Sequence, residues 1–378
     1  MNTTVMNTDA FKALWRRIMP AFVVSAFYFG VLVYPILRIW NLISPSPPGT
    51  PALLVIMVGP LTARLAYEFA PGSLTRWLSA AALTWLGICL LAFSLVLGWE
   101  FIRLLIVLPD QIWGYVLLAA TTSLSGYAYL NAQRLQVRSV PVPVPAPKVP
   151  VSSSGHDSAA GMATAQGLRL VQISDVHVGS RSGRFLSRVV RRVNEQNPDY
   201  VLITGDLIDF SDIQIDEIQA LGSLDAPAIF IIGNHERYVD TEEICERLEA
   251  LGIRVLRNES IIIGGLQIIG IDDAEPKTQV RSEIRRLRPE PDKFRILLYH
   301  RPDGAGDAQA WGAHLMLCGH THNGQILPFN LLVRRIFPKI CGRYQIGNMQ
   351  LYVSPGTGTW GPILRLGSRC EISIIELT

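Results

Sequence analysis

The sequence predicts a mixed α/β domain behind an α-helical membrane segment. Three observations predict it. Charged residues are sparse before position 130 and common after 165, long apolar runs fill the first third, and strand and helix patterns alternate from residue 167 onward. A chain of 378 residues is too long for one ordinary domain and suits two. The division expected is a transmembrane part at 1–130, a Pro/Ser/Gly-rich linker at 131–166 and a soluble α/β domain at 167–378.

The run at 20–37 is uncharged and apolar, close to the roughly 20 residues a membrane helix needs. Lys12, Arg16 and Arg17 precede it as they would a signal peptide, but no small-residue cleavage site leads directly into a soluble domain, so a retained helix is expected. Arg38 and Trp40 mark its interfacial end. Runs at 77–99 and 112–130 are equally clear. The run at 51–69 is weaker, because Arg64 and Glu68 fall within it; Arg64 can snorkel, and a surface-lying or re-entrant segment is the competing reading. The count is four spans. Lys12, Arg16 and Arg17 before the first span, Arg76 between the second and third, and Arg134, Arg138 and Lys148 after the last lie on one side of the membrane under that count. Short cytoplasmic loops carry excess Lys and Arg, so a multi-pass inner (cell) membrane protein with a cytoplasmic soluble domain is expected. With three spans the domain would lie outside.

Alternating prolines keep residues 137–151 out of a sheet interior, so at most an edge strand is expected there, and SSSGHDSAAG reads as loop. Strands are expected at 167–174, 200–204, 228–232, 253–256, 261–269, 295–299, 315–318, 349–353 and 371–377, with helices at 184–194, 213–221 and 241–251. Early alternation followed by strand-rich sequence implies two sheets. The 34 basic and 31 acidic residues leave a formal charge of +3, too little for the basic stripe of a nucleic-acid surface, so no nucleic-acid partner is expected. Protein partners and oligomeric state are not legible. Cys89, Cys245, Cys318, Cys341 and Cys370 are scattered without CxxC spacing, so nothing in the sequence points to a disulfide framework or a thiolate zinc site.

Five of the seven histidines fall at expected strand ends: His177 in SDVH, His235 in GNHE, His300 in LLYH, and His320 and His322 in GHTH. Asp175, Asp206, Asp209 and Asn234 stand beside them. In an extended Asp175-Val176-His177 the first and third side chains point the same way, so both reach one metal; His320-Thr321-His322 repeats the spacing. Asp206, at the start of a turn, is the natural bridging carboxylate. Two divalent ions so held would clamp a phosphate and activate a bridging water. Mixed N and O ligands suit Mn, Fe or Zn better than Ca. Gly205, Gly233 and Gly319 let backbone approach the ions closely. Asn234 and Glu236 can also be read as helix caps ahead of the following TEE, which accounts for Glu236 but not for Asn234.

D-x-H, GD-x-x-D, GNHE, H and GH-x-H in this order resemble the calcineurin-like metallophosphoesterase superfamily. GHTHNGQILPF and LYVSPGTGTWGPILRLG are similar to its bacterial YkuE/YaeI-like branch. The resemblance covers 167–378 and implies a four-layer αββα sandwich with two metals at the strand ends. It implies Asp175, His177, Asp206 and His322 for the first metal, and Asp206, Asn234, His300 and His320 for the second. His235 would stand beside the metals without binding them, stabilising the transition state or protonating the leaving oxygen, its pKa held by a neighbouring carboxylate, and Asp209 is similar to the family's motif-supporting aspartate. Arg237 and Arg301 are candidate phosphate contacts. The stretch 325–344, apolar but broken by Arg334, Arg335, Lys339 and Arg343, is expected as a lipid-facing flap or else a packed loop with water-facing arginines. The substrate expected is a lipid-linked phosphoester or pyrophosphate, such as the nucleotide-diacylglucosamine that some relatives hydrolyse. A soluble-nucleotide phosphodiesterase and a metal-binding sensor or scaffold without turnover are the alternatives.

Overall fold

The computed structural model describes residue 25, residues 27–145, residue 162 and residues 164–378. Lys12, Arg16, Arg17, the start of the first apolar run, Lys148 and the SSSGHDSAAG stretch lie outside the described residues.

Among the described residues the chain opens with four helices: α1 (Tyr28–Ile43, π-wound over Tyr28–Val33), α2 (Thr50–Phe69), α3 (Ser73–Ile102) and α4 (Asp110–Ala132). Pro51 fits the first turn of α2, where its missing N–H is needed by no carbonyl and its fixed φ is already helical. α2 and α3 are long and apolar enough to cross a membrane; α1 is apolar but shorter. α4 covers the run at 112–130, but its Ser, Thr, Gly and Asn residues make it less apolar than α3.

The helices alternate in direction. Leu42 and Ile43, ending α1, press on Gly114 near the start of α4, where a Cβ would stand 2.6 Å from Ile43. Ile39 and Leu42 also join Val96 and Trp99, late in α3. At the opposite end the bundle grips the α/β domain. The Tyr67 hydroxyl, late in α2, donates to Asp212 at 2.9 Å. Arg76, early in α3, pairs with Asp212 at 3.3 Å and Glu217 at 2.9 Å. Asn131, ending α4, donates to the carbonyls of Arg365 and Ser368 at 2.9 and 3.0 Å. These ties are partly or wholly buried, unlike the exposed Arg64–Glu68 pair, whose contribution is at most about 1 kcal/mol.

The domain holds two six-stranded sheets. The first orders β1 (Leu135–Val142), β12 (Cys370–Leu377), β2 (Arg169–Ile173), β3 (Tyr200–Ile203), β4 (Ala228–Phe230) and β5 (Arg254–Val255). β2 to β5 run parallel, β12 is antiparallel to β2, and β1 lies at the edge where its Pro141 is tolerated. The second orders β10 (Gly342–Ile346), β11 (Met349–Val353), β9 (Leu315–Cys318), β8 (Phe294–Tyr299), β7 (Leu266–Ile271) and β6 (Glu259–Ile263). The parallel strands β3, β4 and β9 read as unbroken apolar runs because both faces are covered. Leu170, Leu202 and Ile229 of the first sheet meet Ile268, Ile296 and Leu317 of the second. Val171, Val201 and Phe230 face outward onto α5 (Gly183–Asn194) and α7 (Thr241–Ala250), through Leu186, Val189 and Leu248. Ile269, Leu297 and Met316 face α8 (Gln279–Ile284) and α9 (Ala305–Trp311) through Val280, Ile284 and Ala308.

The strand expected at 261–269 is a hairpin instead. Ile263 pairs with Leu266 across Gly264 and Gly265, and Gly264 takes a φ of +54° that suits a tight turn. The helix expected at 213–221 is one α-turn, α6 (Ile215–Ile218), continued as a 3₁₀ turn over Gln219–Ser223. Within 325–344 the chain forms α10 (Asn330–Ile336) and enters β10.

Candidate metal centre

Every motif residue stands just past the carboxyl end of a parallel strand, the edge where open α/β sheets bind ligands. β2 leads to Asp175 and His177, β3 to Asp206 and Asp209, β4 to Asn234 and His235, β8 to His300, and β9 to His320 and His322. The sandwich brings both edges together, because β2 to β4 belong to one sheet and β8 and β9 to the other.

The local geometry is not extended. Asp175, His177, Asp206, His320 and His322 all adopt φ between 50° and 73°, the left-handed region, which costs a non-glycine residue about 1 kcal/mol or more. Asp175 and His177 thus share a metal-sized space through left-handed backbone rather than through strand alternation. His320 and His322 do not share one: His322 joins Asp175 and His177, while His320 joins Asp206 and His300. Ligand atoms within each trio lie within 4.8 Å of one another. Two glycines make room. A Cβ on Gly319 would stand 2.2 Å from Asp175 Oδ2, and one on Gly233 2.3 Å from Asp206 Oδ1.

The donor atoms fit cations. His300 Nδ1 donates to the Thr204 carbonyl at 2.8 Å, which leaves Nε2 bare and 3.0 Å from Asp206 Oδ2. His177 Nδ1 donates to Asp209 Oδ1 at 2.5 Å, which turns its bare Nε2 toward His322 Nε2 at 2.9 Å, with Asp175 Oδ1 3.3 Å from the latter. Asp175 Oδ2, Asn234 Oδ1 and His300 Nε2 are buried without a hydrogen-bond partner. Buried polar atoms are seldom left so, and a divalent ion in each trio would satisfy Asp175 Oδ2 and His300 Nε2.

A third grouping, His177, Asp209 and His235, is already filled by hydrogen bonds. Asp209 Oδ1 accepts from His235 Nδ1 at 2.8 Å as well as from His177, and Ser180 donates to Oδ2. Burial would raise the Asp209 pKa, but the charges and hydrogen bonds of His177 and His235 hold it well below the carboxylate range. Burial would lower His235, but Asp209, with Asp206 and Glu236 behind it, raises it to about 9.

Arg237 and Arg301 converge on buried Asp273, at 3.1 and 2.7 Å, and both also reach Glu275. Arg334 and Arg335 are exposed on α10 without a partner among the described residues. The same segment turns Val333, Ile336 and Phe337 into a cavity of about 510 Å³ that His235, His320 and His322 also line.

Two residues of the site carry roles that motif reading missed. Glu236 is not a helix cap: its buried carboxylate accepts from the backbone N–H of Asp206, Leu207, Ile208 and Gly233 at 2.7–3.1 Å, tying the GDLID loop to the GNHE loop. Glu236→Ala strands four buried donors, at about 1–3 kcal/mol each. A loss of at least ~3 kcal/mol is expected, visible as a lowered Tm; an unchanged Tm would refute the tie. Wholly buried Arg365 donates to the carbonyls of His322 and Gly358 at 2.8 and 2.7 Å, and its own N–H bonds Ala128 of α4 at 2.9 Å. Its only sequence signal is a charge inside an apolar run.

Two trios of N and O donors at the facing edges of a two-sheet sandwich define a binuclear metal-dependent phosphoesterase. Residues 168–324 match the calcineurin-like phosphoesterase model. An uncharacterized metallophosphoesterase of Campylobacter jejuni is 30% identical over 307 residues, 75% of this chain and 78% of that one. The transmembrane protein with metallophosphoesterase domain of Danio rerio is 34% identical over 69% of this chain, which spans 61% of that relative's length. YkuE of Bacillus subtilis, an uncharacterized metallophosphoesterase, is 32% identical over 56% of this chain and 79% of its own. The chain belongs to the calcineurin-like phosphoesterase family.

Proposed function

We propose that the protein hydrolyses a phosphoester or pyrophosphate bond in a lipid-linked substrate presented by the membrane that holds its helices. One observation carries this reading. The 510 Å³ cavity runs from Asp206, Asn234, His235, His320 and His322 to Phe27, Val31, Leu86 and Leu90 on and beside α1 and α3, with α10 as a further wall. A phosphate at the polar end would leave an apolar tail among apolar side chains. Leu331 and Leu332 of α10 are exposed outside the cavity, as a surface facing lipid would be.

Asp175, His177, Asp206 and His322 are the proposed ligands of one ion, and Asp206, Asn234, His300 and His320 those of the other. Bound Mn, Fe or Zn would neutralise phosphate oxygens and lower the pKa of a water shared between the ions. His235, oriented by Asp209, stands ready to pass a proton to the leaving oxygen. Arg237 and Arg301, clamped on Asp273, supply cationic charge beside His300, and Arg334 and Arg335 meet headgroup phosphates outside the cavity.

On this reading a lipid-headgroup phosphoester in mixed micelles outcompetes a free nucleotide by roughly tenfold or more in kcat/KM. Arg334→Ala with Arg335→Ala weakens only the micellar reaction, by about fivefold per arginine at a charged surface. Equal loss on both substrates would show that α10 does not meet the lipid headgroup.

All four apolar helices are proposed to cross, which sets the amino end and the catalytic domain on one side. The alternating helix directions and the name of the Danio rerio relative support this. The Campylobacter alignment also covers more of the chain than residues 167–378 can supply, so the likeness reaches into the helices. With the basic residues before α1 on the inside, the domain is cytoplasmic in the inner (cell) membrane. A reporter pair fused after Thr378 is expected to fluoresce in the cytosol; activity of the export-dependent reporter instead would overturn the span count.

A further inference from the structure

A second cavity, of about 770 Å³, opens between α3 and the start of α5. None of its lining residues belongs to the cavity at the metal centre. One wall is the face of α3 that carries Trp77 and Trp85; the other carries Arg181, Arg184 and Arg188, with Arg76 at its edge. Glu217 is the acidic residue of the lining, and Arg76 already occupies it with both carboxylate oxygens, at 2.9 and 3.0 Å.

The other three arginines have no carboxylate partner among the described residues. Arg181 is 3% exposed. Its guanidinium lies 3.8 Å over the Phe185 ring and donates only to the Ala132 carbonyl and the Gln133 side chain, at 3.1 and 3.0 Å. Its Nε is buried with no hydrogen-bond partner. Arg188 shares Gln133, at 3.3 Å. Arg184 is exposed and unpartnered among the described residues. Burial, with Arg188 and Arg365 adding to it, pushes the Arg181 pKa down to about 10. A buried cation that lacks an anion is costly, and supplying the anion removes the cost.

We propose that this cavity binds the phosphate headgroup of an anionic phospholipid whose acyl chains lie along Trp77 and Trp85 of α3. The charge selects the headgroup, and the indoles suit the boundary between apolar chains and water. The proposal rests on the reading that α3 lies in a bilayer.

The test is native mass spectrometry of the full chain in detergent, offered phosphatidylglycerol and phosphatidylcholine with identical chains. Retention of phosphatidylglycerol is expected to be at least about tenfold the greater. Arg184→Ala, at an exposed position, lowers that preference about fivefold, and Arg184→Glu with Arg188→Glu abolishes it. Both variants keep flotation with liposomes and hydrolysis of bis-p-nitrophenyl phosphate. Equal retention of the two lipids, or a preference untouched by Arg184→Ala, overturns the site. Displacement of the lipid by millimolar inorganic phosphate overturns it too, because the site would then take a soluble anion. Failure of the wild-type chain to float with liposomes would instead strike the membrane reading.

Discussion

Asp206→Asn is expected to lose bound metal and turnover together, with activity down at least about 10³-fold. Asp206 is 2% exposed, so no water replaces the charge it loses. Its Oδ2 lies 3.0 Å from the bare Nε2 of His300, and its Oδ1 accepts the His235 backbone N–H at 2.9 Å. An amide there has one acceptor oxygen and no charge, and so cannot serve two cations. Elemental analysis of the purified variant beside the wild type decides it. A variant that keeps its full metal content would show that Asp206 does not bridge.

His235→Ala is expected to behave oppositely: metal content nearly unchanged, activity down roughly 10²–10⁴-fold, the scale of a positioned proton donor. His235 belongs to neither of the two trios that retain bare donor atoms. Its Nδ1 is committed to Asp209, and its Nε2 is 3.9 Å from Asp206. Removing the ring leaves Asp209 with His177 and Ser180 as donors, so His177 keeps its orientation. Loss of one ion per chain would make His235 a ligand instead.

The site was legible because its chemistry sits in short motifs at strand ends. Their grouping was only partly so. Strand alternation suggested that His320 and His322 share an ion, whereas the family resemblance gave them to different ions, and left-handed backbone sends them to different trios. Glu236 lies inside a recognised motif, but the backbone N–H groups it accepts from are mostly about 30 positions earlier in the chain, a distance no local pattern reports. The hairpin at Gly264 hid inside an apolar run because both of its strands are apolar. α8, α9 and α10 are only six or seven residues long, too short for helical periodicity to build up. The edge strand β1 was legible in part, since Pro141 permits an edge and nothing more, and only the parallel pairing with β12 completes it.

Metal stoichiometry set against turnover tests the binuclear centre most directly. The full-length protein, stripped by chelation, is titrated with Mn²⁺ while bound metal and hydrolysis of bis-p-nitrophenyl phosphate are followed together. Two trios of donors predict that turnover is absent in the stripped protein and rises to a plateau at two bound ions per chain. Full turnover without metal, or a plateau reached at one ion, would contradict a binuclear centre.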